Sequence, residues 1–351
     1  MKRVRKIKWI AVICLALVFT SCSVPGSKKN ISGTETEEKI KIGMSFDSFV
    51  IERWQRDKDV FVSAAKELGA EVNVQNANGE IAEQKRQIDY FIEKDMDVIV
   101  IICNDSNGLR DSVEKAKAAG IKVIAYDRLI NDAEIDLYIS FDNAKVGGMM
   151  ANTLLENGLA DGNVLMLGGS LSDNNVSLVE GEFKKIMKEN DVKVLESFHA
   201  GNWLAELAAD YIYSHMSVVS KADAIMCGND DIASRVVRAL AEKRMAGRVL
   251  VTGQDADLEA CQRIVEGTQL MTVYKPVEKL AQRAAECAVA LAKEEKITGK
   301  DVKGLNNGEY RISYVALEPV CVTKENINEI IINSGFHLKE EVYLNMPEKM
   351  P

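Results

Sequence analysis

The sequence predicts an α/β protein built from two doubly wound parallel-sheet lobes in tandem. Three observations carry the prediction. Short apolar runs alternate with amphipathic helical stretches along most of residues 40–296, and the alternation restarts midway. Runs such as DVIVIIC (97–103) are apolar without alternation, as strands of a sheet covered on both faces are. Most of the runs end in polar, hydrogen-bonding residues, which places those residues at the carboxyl edge of a sheet, where open α/β folds hold ligands.

The first set opens with a strand at 41–46, closed by Asp47, and a helix at 53–68. In that helix Val60, Phe61, Ala64 and Leu68 recur at helical spacing, and Gly69 is placed to cap the end. A strand at 71–75 follows. The next helix has Ile81, Ile88, Phe91 and Ile92 on its buried face, and leads to strand 97–103 and helix 107–119. The stretch KVIAYDRLINDAEIDLYISFDN (122–143) holds two apolar runs, one ending in Asp127-Arg128 and the other in Phe141-Asp142-Asn143.

The second set has helices at 144–159, 175–189, 203–217, 232–246 and 257–267, and strands at 163–170, 192–200, 222–230, 248–256 and 269–276. A long helix at 277–296 carries Leu280, Ala284, Cys287, Ala288 and Leu291 along one face. The tail holds β-like runs over 311–323 and a short helix near 325–334.

At 351 residues the chain is long enough for two ordinary domains. A net charge of −9 argues against binding nucleic acid, which requires a basic face. Residues 1–21 read as a signal segment, with the basic stretch MKRVRKIK before the apolar WIAVICLALVFTS, too short for a confident membrane span. Cys22 then stands where a bacterial lipoprotein carries its lipid, with Phe19 in place of the usual Leu. The expectation is an extracytoplasmic body anchored to the cell membrane. Residues 22–39, rich in Ser, Gly, Pro and charge, read as a tether.

The seven cysteines form no CxxC and no Cys/His spacing. They read as small buried hydrophobes rather than disulfides. The three histidines, His199, His215 and His337, are too few and too far apart for a metal site, so none is expected.

The predicted strand ends collect Asp127-Arg128, Asp142-Asn143, Gly169-Ser170, Asn229-Asp230, Asp255 and Lys275. The intervening loops add Arg53-Trp54, Asp173-Asn174-Asn175 and Gly201-Asn202-Trp203. No activated Ser–His or Cys–His pair and no Gly-rich phosphate loop is present, and no cofactor is called for. The mix suits a sugar: carboxylates accept from hydroxyls, guanidinium and ammonium groups donate to them, and amides do both. An indole covers the apolar C–H face of the ring. Single residues have plainer readings. An Asp or Asn at a strand end is commonly a turn former or N-cap. Asp257 and one of Asp230 and Asp231 are expected to be caps, and the two tryptophans fit a ligand wall or the core equally well.

These residues resemble a known family. IERWQRDKDVFV, QNANG, KVIAYDRLINDAEIDLYISFDN with KVG, GGSLSDNN, GND, GQDADLEACQRIVEGTQLMTVYKP and LNNG together resemble the ribose/galactose-type substrate-binding proteins of ABC transporters, and within them the D-xylose binders, over nearly all of residues 40–340. The resemblance implies the type I periplasmic binding protein fold, with the two lobes joined by a three-crossing hinge near 143–146, 273–276 and 305–310. The lobes would be 40–143 plus 276–307, and 144–275 plus 308–340. It implies that Arg53, Asp127, Arg128, Asn174, Asn229, Asp255 and Lys275 hydrogen-bond the sugar and that Trp54 and Trp203 sandwich it.

A membrane permease is the implied partner, with hinge closure as the mechanism. A sensing role, presenting the closed form to a membrane histidine kinase, is the alternative. A LacI-type repressor shares the fold but would need a helix-turn-helix where this chain has its signal segment. A two-carboxylate glycosidase would need an acid of raised pKa, which nothing in the sequence indicates, so no enzyme is expected.

Overall fold

The structure is a computed structural model that describes residues 39–351. The signal segment, Cys22 and the tether up to residue 38 lie outside the described residues.

The first lobe takes the chain through β1 (Ile40–Phe46), α1 (Arg53–Glu67), β2 (Ala70–Asn76), α2 (Ile81–Glu93), β3 (Val98–Ile101), α3 (Arg110–Ala118), β4 (Lys122–Tyr126) and β5 (Leu137–Phe141). The second follows with α4 (Asn143–Glu156), β6 (Asn163–Gly168), α5 (Asn174–Glu189), β7 (Lys193–His199), α6 (Glu206–Ser214), α7 (Met216–Val219), β8 (Ala224–Cys227), α8 (Asp230–Glu242), β9 (Leu250–Gln254), α9 (Leu258–Glu266) and β10 (Met271–Tyr274). The remainder is α10 (Val277–Ala292), β11 (Val302–Asn306), β12 (Arg311–Leu317), β13 (Val320–Thr323) and α11 (Lys339–Val342).

The seven-stranded sheet has the order β11-β12-β5-β4-β3-β1-β2, and the six-stranded sheet β13-β10-β9-β8-β6-β7. The five core strands of each follow the same permutation and run parallel. Two doubly wound lobes are therefore present as expected. Every side chain of β3 is fully buried, which is why that strand reads as apolar without alternation.

The chain leaves the first sheet after β5, and α4 packs on α5 and the second sheet. It returns after β10, where α10 packs on α1. Both crossings fall at or within a residue of where the sequence places them. The third does not. β12 pairs in parallel with β5, and β13 pairs antiparallel with β10, so the chain crosses at Glu318-Pro319 rather than near 305–310. The Asn306-Asn307-Gly308 turn closes the β11–β12 hairpin within the first lobe, with Gly308 at φ 112°. A lobe boundary at 307/308 therefore assigns β12 to the wrong sheet. The run RISYVALEPVCVT reads as one β segment until Pro319, which has no N–H to donate, divides it between sheets.

Two helices also differ from expectation. On α1 the buried face is Arg53, Trp54, Asp57, Phe61 and Ala65, while Leu68 lies 42% exposed. Hydrophobic spacing cannot find a buried face that has two charged side chains, Arg53 and Asp57, among its first three residues. The expected helix at 203–217 starts only at Glu206, because Asn202 and Trp203 adopt left-handed backbone at φ 51° and 58°.

Candidate functional site

The carboxyl edges of the two sheets bring their strand-end loops together. Asp127 follows β4 and Asp255 follows β9, the corresponding strands of the two lobes. Each has a left-handed backbone, with φ 62° and 99°. Each keeps its N–H on the neighbouring strand, Asp127 to the Ile139 carbonyl at 2.7 Å and Asp255 to the Val273 carbonyl at 2.8 Å. Such conformations cost about 1–3 kcal/mol apiece and persist where the surroundings over-determine them.

Arg53, in the first turn of α1, ties the carboxylates together. Its Nη2 lies 2.9 Å from Asp127 Oδ2 and its Nη1 3.7 Å from Asp255 Oδ1, while Lys275 Nζ lies 3.2 Å from that same Asp255 oxygen. Arg128 forms a second group: Nη1 donates to Asp47 Oδ2 at 2.6 Å, and Nε lies 2.8 Å from Asp173 Oδ2 in the other lobe. Trp54 is buried under both cations, 4.5 Å from the Arg53 guanidinium and 5.5 Å from that of Arg128. Trp203 packs over Gly169 so closely that a Cβ on Gly169 would lie 2.3 Å from the indole.

Asn229 is buried, and its Oδ1 accepts from Ile232 N–H, capping α8. This is the cap expected of Asp230 or Asp231. Asp230 is instead enclosed, accepting from Thr272 and Gln269. Asp257 stands at the N-cap of α9 without a side-chain capping bond.

Asn174 is the expected site residue that turns elsewhere. It is half-buried and lines a crevice of about 500 Å³ on the hinge side, whereas the buried Asn175 Nδ2 donates to the Asp127 carbonyl at 3.0 Å and its carboxylate at 3.2 Å. Adjacent residues in the first turn of a helix point about 100° apart, and the sequence DNN does not say which amide faces inward. Asp47 and Asp173, read from sequence only as strand-end and turn residues, anchor Arg128. Asp57, missed altogether, anchors Arg53; its i+4 spacing from that residue was the available signal.

Burial alone would raise the Asp127 carboxyl, but Arg53, then Lys275 and Arg128, outweigh it and hold the group below its ordinary range. Asp57 and Asp173 go the other way: burial pushes both up, against the pull of Arg53 and Arg128 respectively.

Eight buried side-chain polar atoms lack a hydrogen-bond partner among the described residues, and six belong to this cleft: Asp47 Oδ1, Trp54 Nε1, Arg128 Nη2, Trp203 Nε1, Gln254 Oε1 and Asp255 Oδ1. Lys275 and Arg53 neutralise the Asp255 oxygen without hydrogen-bonding geometry. Each such orphan costs about 1–3 kcal/mol, so donors and acceptors concentrated this way form a surface suited to a polar ligand. Among the described residues no His, Cys, Asp and Glu cluster fits a metal. The five described cysteines are unpaired, four of them buried, and no described helix is long and apolar enough to cross a membrane.

The lobes also touch without an intermediary. Ser106 N–H donates to the Ser172 carbonyl at 2.9 Å, Ser172 Oγ to the Asn104 carbonyl at 3.1 Å, and Asn174 N–H to Ser106 Oγ at 3.0 Å.

The family model described as "Periplasmic binding protein domain" matches residues 42–296. The chain is 42% identical to the D-xylose-binding periplasmic protein of Haemophilus influenzae, over 91% of this chain and 96% of that one. It is also 42% identical to the protein of the same description in Escherichia coli, over 87% and 93%. Among solved structures, a carbohydrate transporter solute-binding protein of Chloroflexus aurantiacus in complex with D-glucose superposes with a TM-score of 0.79 at 26% identity, covering 87% of this chain and 98% of that one.

Proposed function

Because this chain belongs to the periplasmic binding protein family, we propose that it binds a pentose, D-xylose, between its lobes outside the cytoplasmic membrane and delivers it to an ABC permease. The observation that carries the reading is the concentration of unpartnered buried donors and acceptors in the cleft. A pyranose supplies hydroxyls that both donate and accept, and the relatives named for D-xylose give the choice among sugars.

In this reading Arg53, Asp127, Arg128, Asn229, Asp255 and Lys275 hydrogen-bond the sugar, with Asn175 in the place expected of Asn174. Trp54 and Trp203 wall the ring. The lobes close about the three crossings, and the sugar favours the closed form only through its extra contacts there. The Ser106, Ser172 and Asn174 bonds add a ligand-independent share to closure. Cys22 carries the lipid that holds the protein at the membrane.

Thermal unfolding of residues 39–351 with and without each of five sugars tests the proposal. A ligand at 100 times its Kd adds about 2.7 kcal/mol of stability. D-xylose should raise the Tm by several degrees while D-ribose, L-arabinose, D-glucose and D-galactose leave it near the sugar-free value. A shift with another sugar alone would overturn the choice of D-xylose.

A further inference from the structure

Asp57 is fully buried one helical turn beyond Arg53 and makes none of its hydrogen bonds to a group assigned to the sugar other than Arg53. It holds that guanidinium as a fork: Arg53 Nε donates to Oδ2 and Nη2 to Oδ1, both at 3.1 Å. The Tyr126 hydroxyl also donates to Oδ1. Tyr126 is the last residue of β4, fully buried, and the next residue is Asp127, whose carboxylate meets Arg53 Nη2 at 2.9 Å. The ring closes on itself: Asp57 to Arg53, Arg53 to Asp127, and back along the chain through Tyr126. Two of the three guanidinium nitrogens are thereby engaged within the first lobe. Nη1 remains, 3.7 Å from Asp255 Oδ1 in the second lobe.

Resting on the sugar-binding reading above, we propose that Asp57 and Tyr126 are positioning residues that aim Arg53 Nη1 across the cleft, where it donates to a sugar hydroxyl that Asp255 accepts from. Without Asp57, the Arg53 fork loses its internal partner and turns toward Asp127 and Asp255, competing with the sugar for the same carboxylates. Burial raises the Asp57 carboxyl above its ordinary range. Its charge is therefore costly to keep in place, and the Arg53 fork and the Tyr126 hydroxyl are what offset that cost.

A double-mutant cycle on sugar affinity tests this. Asp57→Asn conserves shape and removes charge, and should weaken D-xylose binding roughly 10- to 100-fold, while Tyr126→Phe, which removes one donor, should weaken it roughly 3- to 10-fold. Each is made again in an Arg53→Lys background, where no fork exists, with D-xylose titrated to saturating concentrations. There the further loss should shrink to less than about 2-fold, because residues acting through a common partner are non-additive. Trp54, 4.5 Å from the Arg53 guanidinium, supplies a second readout: its fluorescence in a Trp203→Phe protein should change on Asp57→Asn.

Urea midpoints measured in parallel separate folding from aiming. Equal fold-losses in the wild-type and Arg53→Lys backgrounds, or an unchanged affinity with only a lowered midpoint, would overturn the proposal. If Asp57→Asn does not fold, the Tyr126→Phe pair decides by the same criterion. If the unaltered protein binds none of the sugars, the functional reading has failed instead.

Discussion

Replacing Ser106 by Ala should weaken every sugar equally. Ser106 lies in the loop after β3, buried, and its hydroxyl accepts Asn174 N–H at 3.0 Å from the first residue of α5 in the other lobe. The bond joins lobes and touches no residue assigned to the sugar. With the hydroxyl gone, the Asn174 N–H loses its partner in the closed form, whereas in an open form it faces water. A typical intramolecular hydrogen bond contributes about 0.5–1.5 kcal/mol net, and that loss falls on the closed state alone. For a free protein that is mostly open, the apparent affinity scales with the closed fraction, so Kd should rise about 2- to 13-fold. The factor should be the same for D-xylose as for any weaker sugar that closes the cleft. Calorimetric titration of wild type and Ser106→Ala with D-xylose and with the best competing sugar gives two ratios. If their quotient changes, or if no Kd moves, the Ser106 contact is not an independent part of closure.

Other outcomes follow from the same geometry. Gly169→Ala places a methyl 2.3 Å from the Trp203 indole, so the ring must shift: stability should drop by about 1–3 kcal/mol in urea unfolding and D-xylose affinity should fall with it. The Asp127 carboxyl is held low in the folded protein, so its stabilising share is present above an ordinary aspartate pKa near 3.8 and is lost as pH falls through the lowered value. The gap in urea midpoint between wild type and Asp127→Asn should stay level from neutral pH down to about 5 and close in stronger acid. Phe61→Ala removes a fully buried ring from the α1 face and should cost about 3–5 kcal/mol while leaving sugar affinity in the folded fraction intact.

How far the sequence shows all this depends on what each signal encodes. β3 is visible because both its faces are covered, and a continuous apolar run records that directly. Asp127 and Asp255 are visible because each follows an apolar run and side chains past a strand end point to the edge where the lobes meet. Asp57 is hidden for the opposite reason: it sits among the helical positions of α1, where a charged residue normally marks the solvent face, yet it is fully buried because Arg53 and Tyr126 satisfy it. The choice between Asn174 and Asn175 depends on the entry angle of α5, which Asp173 sets by accepting Asn175 N–H while also pairing with Arg128 from the other lobe. The third crossing was obscured because a hairpin turn and a hinge both use Asn and Gly, and only the partner of β12 distinguishes them.

The most direct test is calorimetric titration of residues 39–351 with D-xylose, repeated on Asp255→Ala. One sugar should bind per chain, exothermically, and binding should be lost in the variant because Asp255 Oδ1, Lys275 and Arg53 Nη1 all converge on one point of the cleft. Binding that survives Asp255→Ala with unchanged affinity and stoichiometry would place the sugar somewhere other than between these strand ends and would contradict binding in this cleft.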